Sequence, residues 1–251
     1  MPIRQVTKII QDWASLASFA RDHGLLPRET WWLCRGVTDA TYPLIPKIGR
    51  PHARIAELAY SPEDERALLD AFRAEARPYL PYTPASTIEW LAIAQHHGVP
   101  TRLLDWTESF LVAAFFAVRA GGRVLAIDPA TGERTMRRVD AAIYLVLDPP
   151  RCGDTTHDHP FSVQYACAYV PPHISPQIPA QRSVFTLHAN PTAEPELQVH
   201  KVLISSDACV EIKMVLDQQG INVGSIFPTI HGLSEQLEWR YKWGKLHAYR
   251  P

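Results

Sequence analysis

Residues 89–107 read Glu-Trp-Leu-Ala-Ile-Ala-Gln-His-His-Gly-Val-Pro-Thr-Arg-Leu-Leu-Asp-Trp-Thr. Two histidines, an arginine, an aspartate, a glutamate and two tryptophans stand there between apolar runs, where a core is expected. A buried polar group left bare costs roughly 1–3 kcal/mol, so these side chains must hold one another or hold a ligand. In the structural version Arg102 pairs with Asp105 or Glu89, and the histidines cap a helix end. In the functional version Gln95, His97, Arg102, Asp105, Trp106 and Thr107 surround a cleft. A second constellation is Arg35-Gly36, at the end of a β-prone Trp-Trp-Leu-Cys run. Its guanidinium suits a two-point grip on phosphate oxygens, and a glycine lets the backbone approach a ligand. The alternative is a salt-bridged arginine before a turn glycine.

Other chemistries have thinner support. Cys152, His157, Asp158 and His159 supply zinc-ligand types without a second ligand pair, so no metal is expected. His96 and His97 are adjacent and point about 100° apart on a helix. Cys34 has Arg35 beside it to lower a thiol pKa, yet cysteine in an apolar strand commonly packs. Trp239, Tyr241 and Trp243 alternate with Arg240 and Lys242, with Lys245 beyond. This is either an aromatic and basic surface for bases or a protein partner, or a C-terminal strand or tail covering the core. The sequence holds no Walker loop, dinucleotide-fold glycine pattern or Gly-x-Ser-x-Gly elbow.

Period and capping residues give the elements that must position these groups. Ile9, Ile10, Trp13, Leu16, Ala17 and Ala20 fall at helical spacing, which predicts an amphipathic helix over 6–21, stopped by Gly24. Residues 29–35 read as a strand running into a special turn at Gly36. An ordered loop spans 42–50. Ser61-Pro62-Glu63-Asp64 opens a helix to about residue 77. Ser86-Thr87-Ile88-Glu89 has capping-box spacing and opens a short helix to His96 or His97, stopped at Gly98. A strand over 100–106, a buried apolar helix over 109–119 and core strands over 123–127 and 141–147 follow. Residues 148–179 read as loop with one short strand. Strands over 184–188 and 199–204 and helices over 207–219 and 234–239 complete the chain. The fold class is α+β: a single domain, N-terminal helices first, then a mostly antiparallel or mixed sheet.

With 251 residues, 46% of them hydrophobic, the chain is long enough for one large core. A net charge of -1 argues against nucleic-acid binding by bulk electrostatics, but not against a local basic cleft. The four cysteines, at 34, 152, 167 and 209, show no repeated short spacing, so reduced thiols in a cytoplasmic setting are expected. The first 21 residues do not read as a signal peptide. The longest apolar run, 110–118, is far short of a membrane span, so no membrane partner is expected.

Four groups of residues together resemble the FRG-domain family. They are Arg35-Gly36 after Trp31-Trp32-Leu33, Leu44-Ile45-Pro46 with Gly49-Arg50, the run 95–107, and Ile226-Phe227-Pro228 with Gly232-Leu233. They span about residues 30–235 in the family's order, leaving 236–251 as a C-terminal tail of one FRG-like domain. Cys34 stands where the family's aromatic is usual. In pattern the chain is also similar to the ADP-ribosyltransferase fold. That fold has a strand ending in Arg-Gly, a second strand ending near Thr, and a helix of the type Ala-x-x-Phe-Ala. The equivalents here are Arg35-Gly36, then Leu103-Leu104-Asp105-Trp106-Thr107, then Ala113-Ala114-Phe115-Phe116-Ala117.

That second resemblance implies an enzyme that breaks the nicotinamide–ribose bond of NAD, its substrate, and transfers ADP-ribose to a macromolecule, nucleic acid or protein. The bond opens through an oxocarbenium-like state, as in glycoside cleavage. The resemblance gives Arg35, Gln181 and Thr107 catalytic roles. It has Arg35, Gly36, Trp106, Gln95 and His97 hold NAD, with Trp106 stacked on the nicotinamide. Arg102, Asp105 and Glu89 form the support, although Glu89 suits helix capping equally, and Glu108 is a further carboxylate nearby. Gln181 stands where the fold commonly has a glutamate; it binds a hydroxyl but brings no charge. The implied setting is a toxin or phage-defence effector. The alternative is a non-catalytic nucleotide-, nucleic-acid- or protein-binding domain on the same scaffold.

Overall fold

The structure, a computed structural model, describes residues 5–26, 30–50, 60–127, 132–172 and 175–243. The helix expected over 6–21 is divided into a strand, β1 (Gln5–Ile10), and a helix, α1 (Trp13–Asp22). Val6, Thr7, Ile9 and Ile10 are β-branched and lose side-chain freedom in a helix. Asp12 then starts the helix afresh, its carboxylate accepting from Ser15 N in a capping box. Ile10 is buried and Ile9 half exposed, the alternation of a strand.

Strand β2 (Trp32–Val37) passes through Gly36 without a turn, and the glycine has no positive φ. Beyond the 42–50 loop lie α2 (Pro62–Ala76) and α3 (Thr87–His96), capped by Ser61 and Ser86, which accept from Asp64 N and Glu89 N. Gly98 stops α3 at φ +85°. Strand β3 (Leu103–Thr107) then runs into α4 (Phe110–Val118), capped by Ser109. Helix α4 lies so close on β2 that a Cβ at Gly36 would sit 1.9 Å from the Ala113 oxygen. That approach, and not a special turn, requires glycine.

β4 (Arg123–Ile127) and β5 (Arg134–Arg138) form a ribbon apart from the main sheet. Residues 123–127 are therefore no core strand: Leu125 and, opposite it, Met136 are exposed. The remaining elements are β6 (Ala141–Leu147), α5 (Thr155–Asp158), β7 (Cys167–Tyr169), α6 (Gln177–Gln181) and β8 (Ser183–Leu187). After them come β9 (His200–Ile204), α7 (Cys209–Gln218), α8 (Val223–Ile226) and α9 (Ile230–Lys242). The last helix is longer than 234–239 because Thr229 caps it, accepting from Gly232 N. Residues 236–242 are thus helix and not strand or tail; 244–251 lie outside the described residues.

The main sheet has the order β1-β9-β6-β2-β3-β8-β7, antiparallel throughout except for β1 with β9. This is the expected α+β arrangement. One face meets α1, α4, α7 and α8 through Cys34, Ile143 and Val202. The other carries Leu33, Leu104, Trp106 and Tyr144, under Leu44 and Val199. Helices α2 and α3 pack on Leu103, Phe185 and Leu187. Among the described residues no helix is long and apolar enough to cross a membrane.

Cys152 and Cys167 are joined in a disulfide, which corrects the expectation of four thiols. Cys152 N donates to Ala168 O at 2.9 Å and Ala168 N to Pro150 O at 2.7 Å, so local backbone pairing sets the two cysteines side by side. Spacing along the chain does not reveal such a pairing. It also removes the sulfur from the Cys152, His157, Asp158, His159 group.

Candidate active site

β2 is paired along its length with β6, and β3 with β8. Between β2 and β3 the ladder holds a single pair, Cys34 with Thr107. Past it the strands part, and a side chain bridges the gap: Arg35 Nη1 donates to the main-chain oxygen of Asp105 at 2.6 Å. The same nitrogen is 3.7 Å from Asp105 Oδ2. Gln95 Nε2 donates to that carboxylate oxygen at 2.9 Å, and Gln95 Oε1 accepts from Thr101 Oγ1 at 2.8 Å. The amide of Gln95 is thereby oriented at both ends. Asp105 keeps about half of its side chain in solvent, whereas Arg35 is 18% exposed.

Burial pulls the Arg35 pKa below the ordinary arginine value, Asp105 pushes it back up, and Arg50 pulls it down again. An arginine stays charged through such shifts. The part-buried cation thus has one carboxylate beside it and a second guanidinium in its field, an environment that favours an anionic ligand. The split opens on a cavity of about 300 Å³. Arg35, Gly36, Asp105, Gln95, Thr107 and Gln181 give it a polar lining, and Phe116 and Phe227 an apolar one. The two phenylalanines meet edge to face, centroids 6.0 Å apart. Thr107 Oγ1 donates to Gln181 O at 2.6 Å and so ties β3 to α6.

Much of this lining comes from one segment, and that segment matches a known family model. Residues 30–123 match the FRG domain. The FRG segment runs from just before β2 to the first residue of β4, so it holds Arg35, Gly36, Gln95, Asp105, Thr107 and Phe116. Gln181 and Phe227 enter the cavity from outside it, beyond the end of the match and within the wider span of about 30–235 read from the sequence. No curated protein and no solved structure matches the chain.

Of the residues expected at the site, Arg35, Gly36, Gln95, Asp105, Trp106, Thr107 and Gln181 line the one cavity. Trp106 does so only as a wall: it is 3% exposed, and its indole N–H donates to Thr186 Oγ1 at 2.9 Å. His97 is elsewhere. It follows the last turn of α3 and borders an apolar hollow with Phe72 and Tyr79. His96 takes its place, its Nε2 3.1 Å from Ser175 Oγ. Burial lowers the His96 pKa and His97 lowers it further, against Asp105, so the ring is neutral at pH 7. Arg102 pairs with neither Asp105 nor Glu89 but with Glu65, away from the cavity. Glu89 caps: its Oε2 accepts from Ala85 N at 2.8 Å. Glu108 accepts from the Trp31 indole at 2.8 Å. His96, Phe116, Gln177 and Phe227 were not singled out from the sequence as site residues, although Phe116 and Phe227 lie within motifs noted there.

Trp106, Thr186 and His188 form a buried chain, with Thr186 Oγ1 2.9 Å from His188 Nε2. The indole can only donate, so Thr186 Oγ1 accepts from it, and the same hydroxyl shares a hydrogen bond with His188 Nε2, while His188 Nδ1 is buried without a hydrogen-bond partner among the described residues. Burial, then Arg35 and Arg102, bring the His188 pKa down to about 3. The unfolded chain binds this proton near the ordinary pKa of about 6.5, so the stabilisation is complete above that pH and is lost as pH falls toward 3. Between pH 7.5 and pH 5 the wild type is expected to lose about 2 kcal/mol more than His188→Gln. Urea unfolding at the two pH values measures it, and equal losses in the two proteins would show that burial does not hold His188 neutral.

Proposed function

We propose that the cavity holds the nicotinamide–ribose end of NAD and that the protein transfers ADP-ribose to a macromolecular acceptor. The observation that carries this is the Arg35–Asp105 pair, a cation and a carboxylate 3.7 Å apart that both line a cavity between parted strands. A volume of about 300 Å³ is at the small end of ligand pockets and suits one ring with its sugar, the rest of the dinucleotide lying toward the opening. Arg35, with Arg50 nearby, meets the pyrophosphate. Phe116 and Phe227 give the flat apolar surface for nicotinamide, the part first assigned to Trp106.

In the reaction the C–N bond between ribose and nicotinamide breaks, and nicotinamide leaves neutral with the bonding electrons. The positive charge left on the ribose is stabilised by the Asp105 carboxylate, the charge that Gln181 lacks. Gln181, already engaged through Nε2 to Ile226 O at 3.3 Å, orients a ribose hydroxyl. An acceptor nucleophile then bonds to the ribose carbon and releases a proton, for which neutral His96 is the nearby base. The reading keeps the cytoplasm and a toxin or phage-defence role as the setting; the Cys152–Cys167 bond there faces a reducing thiol pool.

Nicotinamide release from NAD, with and without nucleic acid or cell lysate as acceptor, tests this. Arg35→Ala and Asp105→Asn are each expected to slow release by roughly 10²-fold with circular dichroism unchanged. Absence of release under every acceptor condition, with no rise in melting temperature on adding NAD, leaves the non-catalytic binding domain instead.

A further inference from the structure

A second cavity, of about 520 Å³, lies beside the turn that joins α4 to β4. Arg119 from that turn, Arg123 from β4, Arg138 from β5 and Lys213 from α7 border it. In a chain of net charge -1 this is a local concentration of cations. Within the ribbon, Arg123 stands directly opposite Arg138. Like charges in that register repel, and an anion between them relieves the repulsion. The carboxylates present are weak partners: Arg119 with Glu235 and Arg138 with Asp207 are exposed pairs that an incoming phosphate can displace.

The lining is also aromatic. Trp239 on α9 and Trp243, which caps that helix, have ring centroids 6.4 Å apart and planes tilted by 40°. Lys213 Nζ lies 5.4 Å over the Trp239 ring, and Trp243 is 46% exposed. A groove lined by guanidinium groups and an accessible indole matches a ligand of alternating phosphates and flat rings. We propose that this groove binds single-stranded nucleic acid. Phosphates lie along Arg119, Arg123 and Arg138, and a base stacks on Trp243. An acidic peptide would use the cations and leave the indoles idle.

The groove adjoins the first cavity. The Phe227 ring has Phe116 against one edge and the Arg119 guanidinium 5.0 Å from its centre. The proposal stands on the groove alone; if the NAD reading also holds, the strand bound there is the acceptor.

Fluorescence anisotropy of a labelled oligonucleotide of about 12 nucleotides, DNA or RNA, titrated with the full chain, tests it. Saturable binding is expected to weaken with salt, and Arg123→Gln with Arg138→Gln should lower the logarithmic salt slope by about 1.4, the value for two phosphates on a single strand. Trp243→Ala should weaken binding about tenfold or more, whereas Trp243→Phe retains it. Arg35→Ala should bind like the wild type, which separates this site from the NAD cavity. The proposal is overturned if no binding is seen at protein concentrations on the order of 10⁻⁴ M in low salt. It is equally overturned if Trp243→Ala binds unchanged, or if polyglutamate displaces the strand as well as unlabelled oligonucleotide does.

Discussion

Alanine at Glu65 is expected to destabilise the protein by about 3–5 kcal/mol, because it leaves a buried guanidinium without its carboxylate. Arg102 and Glu65 are 4% and 1% exposed in their side chains. Arg102 Nε donates to both carboxylate oxygens at 3.1 Å, and Nη2 donates to Oε2 at 2.8 Å. Glu65 also accepts from Arg102 N at 3.1 Å and from the Tyr60 hydroxyl at 2.7 Å. Burial and Glu65 push the Tyr60 pKa up to about 12, so that hydroxyl remains a donor. The alanine variant strands all of these donors at once. Urea unfolding at pH 7 should show the midpoint falling with the slope unchanged. The double variant Glu65→Leu, Arg102→Met should recover most of the loss, since it buries no charge. A loss below about 1 kcal/mol for the single variant would mean that water reaches the guanidinium.

This pair also shows what the sequence could reveal. Arg102 was expected to bond to Asp105 or Glu89, its neighbours in the motif, yet its partner lies 37 residues earlier. Glu65 reads there as one of three acids in the first turn of α2, a sufficient local explanation. Signals that act within a turn or two were legible: the caps at Ser61 and Ser86 and the stop at Gly98 all hold. Features set by long-range register were not. The parting of β2 and β3, the β4–β5 ribbon and the Cys152–Cys167 bond each depend on which segments meet.

The candidate site divides along the same line. Arg35, Gln95, Asp105 and Thr107 come together because β2, α3 and β3 were read in the right order. His97 gives way to His96 because one residue on a helix turns the side chain by about 100°. Trp106 lines the cavity with Asp105 and Thr107, but successive residues of a strand face opposite ways, so its buried indole does not offer the stacking face expected of it. The structure follows the alternation, with Asp105 exposed and Trp106 buried against Tyr144 and Leu104. That correction was available from period alone.

Gly36→Ala is the second large effect, with an expected cost of about 3 kcal/mol, the upper part of the overpacking range. The glycine is in extended strand without positive φ, so none of this cost is backbone strain. It arises from position: the new Cβ would lie 1.9 Å from Ala113 O and 2.5 Å from Ala117 N. Both are main-chain atoms of α4, so no side chain can rotate away. The helix itself must retreat, and Phe110, Ala113, Ala114 and Ala117 are buried on its packed side. Phe116 rides on the same helix and moves with it, so the cavity changes shape while every polar group of the site is still present. Gly36→Ala should therefore lower both the unfolding midpoint and the NAD-induced rise in melting temperature. Arg35→Ala should lower only the latter. An alanine protein as stable as the wild type would show that α4 yields at little cost. The glycine would then have to be explained by what its backbone meets inside the cavity.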